Sequence, residues 1–401
     1  MKVLVADNFP ADGLERMRAA GCEVVSNPEL KGMALAAAVR ETTAEVLVVR
    51  STEVPAEVLA AGQLGLVVRA GAGYNTIDTG KASELGIYVS NCPGKNAVAV
   101  AELTFALILA LDRHVADATI DLRAGVWNKG KYSKARGLCG RTLAILGVGH
   151  VGRQVAVRAR AFGMKVRAWS RSLTNETAAE LGLTRCAWPL EAVQGADVVS
   201  LHLALKPETR GLANQALFKA MKPGAYFVNT ARADIVDETA LLAAVQGSGL
   251  RAALDVFAGE PAGSAGALDN PLFRQPGIIG THHIGASTDQ AQDAIADETV
   301  RIVLEYKATG QVPNCVNIAR RTPATHVVVV RHRDRVGVLA HVFAHLKGAG
   351  INVQETDNIV FDGAQAAMAH IHVDQEPTAA TLAAIQKGNT DILDICVKTL
   401  Q

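Results

Sequence analysis

The sequence predicts an α/β protein: two Rossmann/flavodoxin-like lobes of parallel sheet with a cleft between them, then a small ferredoxin-like βαββαβ domain. Three observations carry this expectation. Short apolar, β-branched runs alternate with stretches of helical period as far as Gly310, which is the pattern of repeated βαβ units. Gly147, Gly149 and Gly152 stand in G-x-G-x-x-G spacing directly after the apolar run Leu143–Leu146 and before a helical stretch, as a dinucleotide-binding strand–turn–helix requires. Beyond Asn314–Pro323 the order becomes strand, helix, strand, strand, helix, strand.

In the first lobe, strands are expected over Val3–Ala6, Glu23–Val25, Val46–Val49 and Leu66–Arg69, with helices over Ala11–Ala20, Met33–Arg40 and Ala56–Ala60. Two polar, glycine-bearing loops follow at strand ends, Arg69–Asn75 and Asn91–Asn96, the position at which parallel sheets bind ligands. The helix Ala97–Arg113 leads into a second lobe. Its strands are Ala144–Leu146, Val166–Trp169, Val198–Leu201, Tyr226–Asn229, Ala252–Asp255 and Ile278–Thr281. A long helical pattern from Thr288 to Lys307, stopped by Gly310, crosses back to the first lobe and makes that lobe discontinuous. The expected division is 1–96 with 288–318 as the substrate lobe, 97–287 as the dinucleotide lobe, 319–324 as linker and 325–401 as the C-terminal domain. In that last domain the strands are Thr325–His332, Ile351–Phe361, Gln365–Asp374 and Ile392–Leu400, with helices over Val336–Ala349 and Thr378–Lys387.

Composition narrows the function. A formal charge of +1 provides no broad electrostatic footprint for nucleic acid or an anionic membrane, so small molecules or other subunits are the expected partners. The six cysteines lack C-x-x-C pairing, which argues against a zinc site or a disulfide framework; no metal is expected. With a strand at the start and no basic-then-apolar leader, no secretory signal is expected, and the apolar run Ala97–Leu111 is short and interrupted by Glu102. A cytoplasmic protein with a buried helix there is expected.

The three glycines of the turn answer different physical needs, namely a tight bend, close approach to a pyrophosphate, and close packing of helix on strand. Gly147, Gly149, Gly152 and the turn residues His150 and Val151 are therefore the expected cofactor contacts, together with Ala231 at a later strand end. The second strand closes on Ser170 and Arg171, where a carboxylate would hold ribose hydroxyls. Two hydroxyls, Ser170 and Ser172, flank a cation instead, which on local charge leans toward NADP, while a serine and backbone donors can still hold the ribose hydroxyls of NAD, the expected cofactor. Downstream, Arg232, Glu260 and His283 each follow a strand end. A histidine can move a hydroxyl proton near neutral pH, a carboxylate can set its tautomer, and an arginine can grip a substrate carboxylate. Taken singly each residue has an ordinary surface role; together, beside a nucleotide turn, they are expected to form a proton-and-hydride transfer site. Arg50 and Arg69 end their strands toward the same cleft, where a phosphate would need cations.

On RAGAGYNTID (69–78), NCPGKNAVAVAEL (91–103), GVGHVG (147–152), NTARADIVDE (229–238), ALDVFAGEP (253–261) and THHIGAST (281–288), the chain resembles the D-isomer-specific 2-hydroxyacid dehydrogenases. The resemblance implies that Arg232 binds the substrate carboxylate, that Glu260 pairs with His283, and that Asp255 meets the nicotinamide carboxamide. It also implies that Arg50, Arg69 and Asn96 face a substrate of the 3-phosphoglycerate type, oxidised as the first step of L-serine biosynthesis. Homodimers or homotetramers are implied as well. Three positions depart from the family pattern: His282 where Pro is usual, Ala233 for Gly, and Ala204 for Pro. The match to I-G-A-S, and opposite side-chain directions on an extended segment, select His283 over His282.

The C-terminal domain resembles the ACT domain. By that resemblance His332, Asp334 and Asn352 bind an effector amino acid, L-serine, across a paired interface, with a purely dimerising role as the alternative. An NADPH-dependent glyoxylate or hydroxypyruvate reductase, and a nucleotide-sensing corepressor-like protein, are the competing functions.

Overall fold

The computed structural model describes residues 1–261, 265–319 and 321–400. The chain divides into two compact units, Met1–Asn317 and one beginning at Ile318. The expected linker 319–324 contains Arg320 and the expected last domain ends at Gln401; both residues lie outside the described ones.

The first unit holds two parallel sheets. Strands β1 (Lys2–Val5), β2 (Glu23–Ser26), β3 (Val46–Val49), β4 (Leu66–Arg69) and β5 (Tyr88–Asn91) lie in the order β2-β1-β3-β4-β5, every pair parallel. β3 is buried along its whole length, which is why it reads as an unbroken Val/Leu run rather than an alternation. Strands β6 (Thr142–Leu146), β7 (Lys165–Trp169), β8 (Thr184–Arg185), β9 (Val198–Leu201), β10 (Tyr226–Asn229), β11 (Arg251–Leu254) and β12 (Ile278–Gly280) form the second sheet, in the order β12-β11-β10-β9-β6-β7-β8. The order reverses between β6 and β9, and at such a switch point the loops beyond the strand ends diverge and leave a crevice.

Helix Ala97–Arg113 is apolar on nearly every side and is buried at Val100, Ala101, Phe105, Leu107, Ile108 and Leu111, where it shares a core with β6 and the helix His150–Ala161. Burying a Leu, Ile or Phe side chain stabilises by about 1.5–3 kcal/mol, so this packing outweighs the helix's own marginal propensity. The helix Asp289–Thr309 starts on a Thr288 cap and stops at Gly310 in the left-handed region (φ 74°). Its Ile295, Val300, Ile302 and Val303 pack with Val3, Val5, Val46 and Val68 of the first sheet. The chain then runs along β5. The Ser90 hydroxyl donates to the Pro313 carbonyl (2.6 Å), Val316 N–H to the Val89 carbonyl (2.8 Å) and Val89 N–H to Asn317 Oδ1 (2.8 Å).

The second unit contains β13 (His326–Arg333), β14 (Val353–Val360), β15 (Ala366–Val373) and β16 (Ile392–Thr399), antiparallel in the order β14-β15-β13-β16. Helices Val338–Gly348 and Ala379–Gly388 contribute Val338, Val342, Leu346 and Ile385 to its core with Val328, Val330, Ala369 and Ile371.

Several elements escape sequence reasoning, among them β5 and the helix Glu238–Ser248. β8 is only two residues long, too short to show a period. Helix Val115–Arg123 buries no residue, so no apolar stripe marks it. Among the described residues no helix is long and apolar enough to cross a membrane.

Candidate active site

The crevice at the β6/β9 switch point is built by the glycine turn. Gly147 takes a positive φ of 103°, and a Cβ there would stand 2.4 Å from the His202 carbonyl oxygen of the loop after β9. A Cβ on Gly152 would stand 2.0 Å from the Gly147 carbonyl oxygen, so helix and strand approach closely only because both residues are glycine. At Gly149 a Cβ would meet nothing within 4 Å, and no side chain caps the helix that starts beyond it. The backbone N–H groups of that first turn are thus available to an anion in open space. Val151 packs into the core and presents only its backbone to the turn. His150 reaches the other lobe, where a Cβ on Gly94 would lie 2.8 Å from its ring.

Ser170 and Arg171 come directly after β7, with Arg171 exposed. Among the described residues Arg171 makes no salt bridge and neither side chain forms a hydrogen bond within the chain. His202 faces the turn from the opposite side. Its Nε2 lies 2.8 Å from Ser200 Oγ, its Nδ1 is buried without a partner among the described residues, and burial pushes the imidazole down to about 3. It is therefore a neutral structural ring.

Beyond β11 and β12 the chain brings a carboxylate and a histidine together. Glu260 Oε2 lies 2.7 Å from His283 Nδ1, while Glu260 Oε1 accepts the Phe257 N–H at 2.9 Å. Burial pushes the Glu260 carboxyl up, but the His283 and Phe257 bonds and the charges of His283 and Arg232 outweigh it, and the net shift is down. Ionised Glu260 can accept a proton from Nδ1, an arrangement that would leave Nε2 free to accept one.

The loop that carries His283 is tied to Asp255, which is 1% exposed. Its carboxylate accepts from Thr281 Oγ1 (2.6 Å), Ile284 N–H (2.9 Å) and Gly285 N–H (3.0 Å), and its backbone carbonyl accepts from His283 N–H (2.9 Å). Converging these donors on one residue turns the chain, and His283 sits in the left-handed region at φ 54°. The extended segment expected at His282–His283 is therefore not found; the bond to Glu260 is what distinguishes His283 from its neighbour. Three of the roughly four lone-pair positions of the Asp255 carboxylate are used within the loop.

Arg232 follows β10 with extended backbone (φ −147°, ψ 142°). The turn beneath it is held by Asn229, which donates to the Arg232 carbonyl (2.9 Å) and accepts from Ala231 N–H (3.0 Å). The guanidinium donates from Nη1 to the Ala231 carbonyl (2.6 Å) and from Nε to Asn75 Oδ1 of the first lobe (3.4 Å). A Cβ on Gly73 would stand 1.7 Å from Arg232 Nη2, and one on Gly71 would stand 1.5 Å from Arg69 Nη1. At both positions the space a Cβ would take is filled by the end of a guanidinium group, so a side chain there would displace it.

Arg69 and Arg50 join this cluster. Burial pushes the Arg69 guanidinium down to about 10, and the charges of Arg232 and Arg50 push the same way. Arg69 Nε is buried with no partner among the described residues. Arg232 is likewise lowered by burial, against the charge of Glu260. The loop carrying Arg50 is pinned by Asp7, whose carboxylate accepts the N–H groups of Arg50 (2.6 Å), Ser51 (3.1 Å) and Thr52 (3.0 Å) and the Ser51 hydroxyl (3.0 Å). Asn96 precedes helix Ala97–Arg113 without capping it through its side chain, which leaves its amide free for another partner.

Sequence reasoning missed Asp7, Gly71, Gly73 and Asn75. An acidic residue ending a parallel strand, at the β1/β3 reversal of the first sheet, could have pointed to Asp7. Nothing local marks the two glycines as guanidinium seats.

In the second unit, His332 is 2% exposed, with Nδ1 2.8 Å from the Arg333 carbonyl oxygen and Nε2 3.1 Å from Asn358 Oδ1. Asp334 follows β13 and Asn352 precedes β14. Pairing places His332 opposite Ala367 and Val353 opposite Val373, so Asn352 lies at the other end of the sheet, about 20 Å away at ~3.3 Å per residue. One chain does not bring these three residues together.

The family model described as D-isomer specific 2-hydroxyacid dehydrogenase, NAD binding domain, matches residues 105–285. D-3-phosphoglycerate dehydrogenase of Bacillus subtilis is 36% identical over 324 residues, covering 80% of this chain and 60% of that protein. This chain thus spans about 60% of the length of such curated relatives. Among solved structures, the TT0316 protein of Thermus thermophilus is similar with a TM-score of 0.70 and 34% identity, over 79% of this chain and 100% of that one. The NAD+-bound 3-phosphoglycerate dehydrogenase of Entamoeba histolytica is similar with a TM-score of 0.66 and 27% identity, over 79% and 99%.

Proposed function

The chain belongs to the D-isomer-specific 2-hydroxyacid dehydrogenase family, and we propose that it oxidises 3-phospho-D-glycerate to 3-phosphooxypyruvate with NAD. The observation that carries this reading is the group Arg50, Arg69 and Arg232, with Arg69 half-buried, its Nε buried and unpartnered among the described residues, and its charge disfavoured by two neighbouring positive charges. A substrate with a carboxylate at one end and a phosphate at the other would relieve that repulsion; a smaller hydroxy acid would leave part of it uncompensated.

The residues present fit a dinucleotide. The open face at Gly149 and the uncapped helix start would take the pyrophosphate, and the remaining lone-pair position of Asp255 suits a carboxamide N–H. Bound nicotinamide supplies the hydride acceptor. The protein's work is on the substrate. Arg232 grips the carboxylate and draws electron density toward the C2 oxygen, His283 Nε2 takes the C2 hydroxyl proton, and Glu260 compensates the imidazolium through Nδ1. Arg50 and Arg69 hold the phosphate, and Asn96 donates to the substrate beside them.

Arg50→Ala and Arg69→Ala test the assignment. Each is expected to raise KM for 3-phosphoglycerate by about tenfold or more, the scale of a charge-assisted hydrogen bond, and to affect an unphosphorylated 2-hydroxy acid far less. Equal effects on both substrates would overturn it. One observation favours a second reading: Arg171, exposed and unpaired among the described residues beside Ser170, could bind a 2′-phosphate, as an NADPH-dependent glyoxylate or hydroxypyruvate reductase would require. Comparing kcat/KM with NAD and NADP separates the two.

The C-terminal unit supports a regulatory role as an ACT-like domain. Because His332 and Asp334 lie far from Asn352 in one chain, an L-serine site built from all three needs a second copy, in a homodimer or homotetramer. Inhibition by millimolar serine is the expected result, and its absence would leave this unit a dimerising one.

A further inference from the structure

Glu298 sits midway along the helix Asp289–Thr309, outside the site described above, and is only 7% exposed. Its carboxylate accepts four bonds: from Arg301 Nη2 (2.6 Å) and Nε (3.2 Å), from Asn314 Nδ2 (2.7 Å), and from Lys95 Nζ, 3.2 Å away in an ion pair. Arg301 and Asn314 belong to the helix and the segment after it. Lys95 does not; it belongs to the turn after β5 and directly precedes Asn96.

The same turn is held on both flanks. Cys92 N–H donates to the Gly71 carbonyl (2.9 Å) and Asn91 Nδ2 to the Ala72 carbonyl (2.6 Å), which ties it to the loop on which Arg69 and Arg232 rest. Cys92 Sγ lies 3.4 Å from Thr299 Oγ1, next to Glu298 on the helix. That helix begins six residues beyond His283. A chain of direct contacts thus runs from the substrate-side turn, through Lys95 and Glu298, to the helix that continues from the proton-transfer loop.

We propose that Glu298 is a positioning residue: through Lys95 it holds the turn 92–96 at the distance from the His283 loop at which Asn96 and the adjoining arginine loop meet the substrate. The proposal rests on the substrate reading above for its kinetic consequence but not for its structural one. Without the Lys95 bond the turn keeps its ties to the Gly71 and Ala72 carbonyls and loses its charged strut, so substrate binding weakens while the proton-transfer pair stays intact.

Lys95→Met removes the strut without disturbing the Arg301 and Asn314 bonds, and Glu298→Gln keeps the shape while removing the charge. The expected result for Lys95→Met is a KM for 3-phosphoglycerate raised about fivefold, the upper range of a partly exposed ion pair, with kcat and the KM for NAD unchanged. Lys95→Arg restores the wild-type value. Amide hydrogen exchange in the protein without substrate is expected to quicken across 92–97 in Lys95→Met and Glu298→Gln and not across 143–152. An unchanged KM in Lys95→Met, or equal changes in both Michaelis constants and kcat, would overturn the proposal. If the wild-type protein does not turn over 3-phosphoglycerate, the functional reading fails, and the exchange experiment alone decides: faster exchange at 92–97 supports the strut and unchanged exchange refutes it.

Discussion

Replacing Glu260 by Gln isolates the electrostatic part of the proposed proton-transfer pair, because the side chain keeps its shape. In the wild type both carboxylate oxygens accept: one from Phe257 N–H at 2.9 Å, the other at 2.7 Å from His283 Nδ1. An amide can present an oxygen to only one of these donors. With the oxygen toward Phe257, the NH2 group faces Nδ1, which must then accept, so the proton moves to Nε2 and the ring can no longer take one from the substrate. With the amide turned over, the NH2 group opposes Phe257 N–H, which costs about 1–3 kcal/mol. The first arrangement prevails, and kcat for oxidation at neutral pH should fall by about 10²–10⁴, the usual contribution of a positioned general base, with KM for 3-phosphoglycerate little changed. The assay is steady-state NADH formation by wild type and Glu260→Gln over a pH series. Glu260 is held below the ordinary carboxylate range, so in the wild type its protonation impairs activity only as pH falls below that range, and Glu260→Gln lacks this acid limb. A loss of only a few-fold at neutral pH would refute the tautomer argument.

Three further outcomes follow from contacts. Gly73→Ala places a methyl group 1.7 Å from the present Arg232 Nη2 position; since the obstacle is the end of a flexible side chain, Tm should hold while kcat/KM for the carboxylate substrate falls at least about tenfold. An unaffected kcat/KM would show that Arg232 does not need its seat. Asp255→Asn sets an NH2 group against the Ile284 or Gly285 N–H donors and should lower stability by about 1–3 kcal/mol, measured by urea unfolding, with turnover falling as well because the same loop carries His283. Glu298 is held down to about 2, chiefly by its Arg301 bonds. Its stabilising effect is therefore present above the ordinary carboxylate value and is lost as pH falls toward 2, so the Tm gap between wild type and Glu298→Gln should narrow over that window. A gap that stays constant with pH would contradict it.

Much of the candidate site is legible locally. The glycine spacing marks the turn because bend, close approach and tight packing are needs of a short segment. Arg232, Glu260 and His283 follow strand ends, and parallel strands deliver such residues to one edge. The geometry that makes them work is not local. Asp255 holds the His283 loop across about thirty residues, and His283 departs from the extended backbone expected of it. The seats for Arg69 and Arg232 are absences of side chain, and a glycine in a loop looks the same whether it serves a turn or a neighbour.

By itself the sequence determined the α/β class, the two parallel sheets, the βαββαβ tail and the family, since period, glycine spacing and short motifs are written in contiguous residues. Only the tertiary structure decided which charges face one another: that half-buried Arg69 feels the charges of Arg232 and Arg50, that Glu298 reaches Lys95 from another part of the chain, and that His332 and Asn352 stand at opposite ends of one sheet. The physical reason is that the hydrophobic effect that shapes the sheets is short in period and repeated along the chain. An ion pair or an orphaned guanidinium is instead set by a single close approach between segments, which only the packed chain defines.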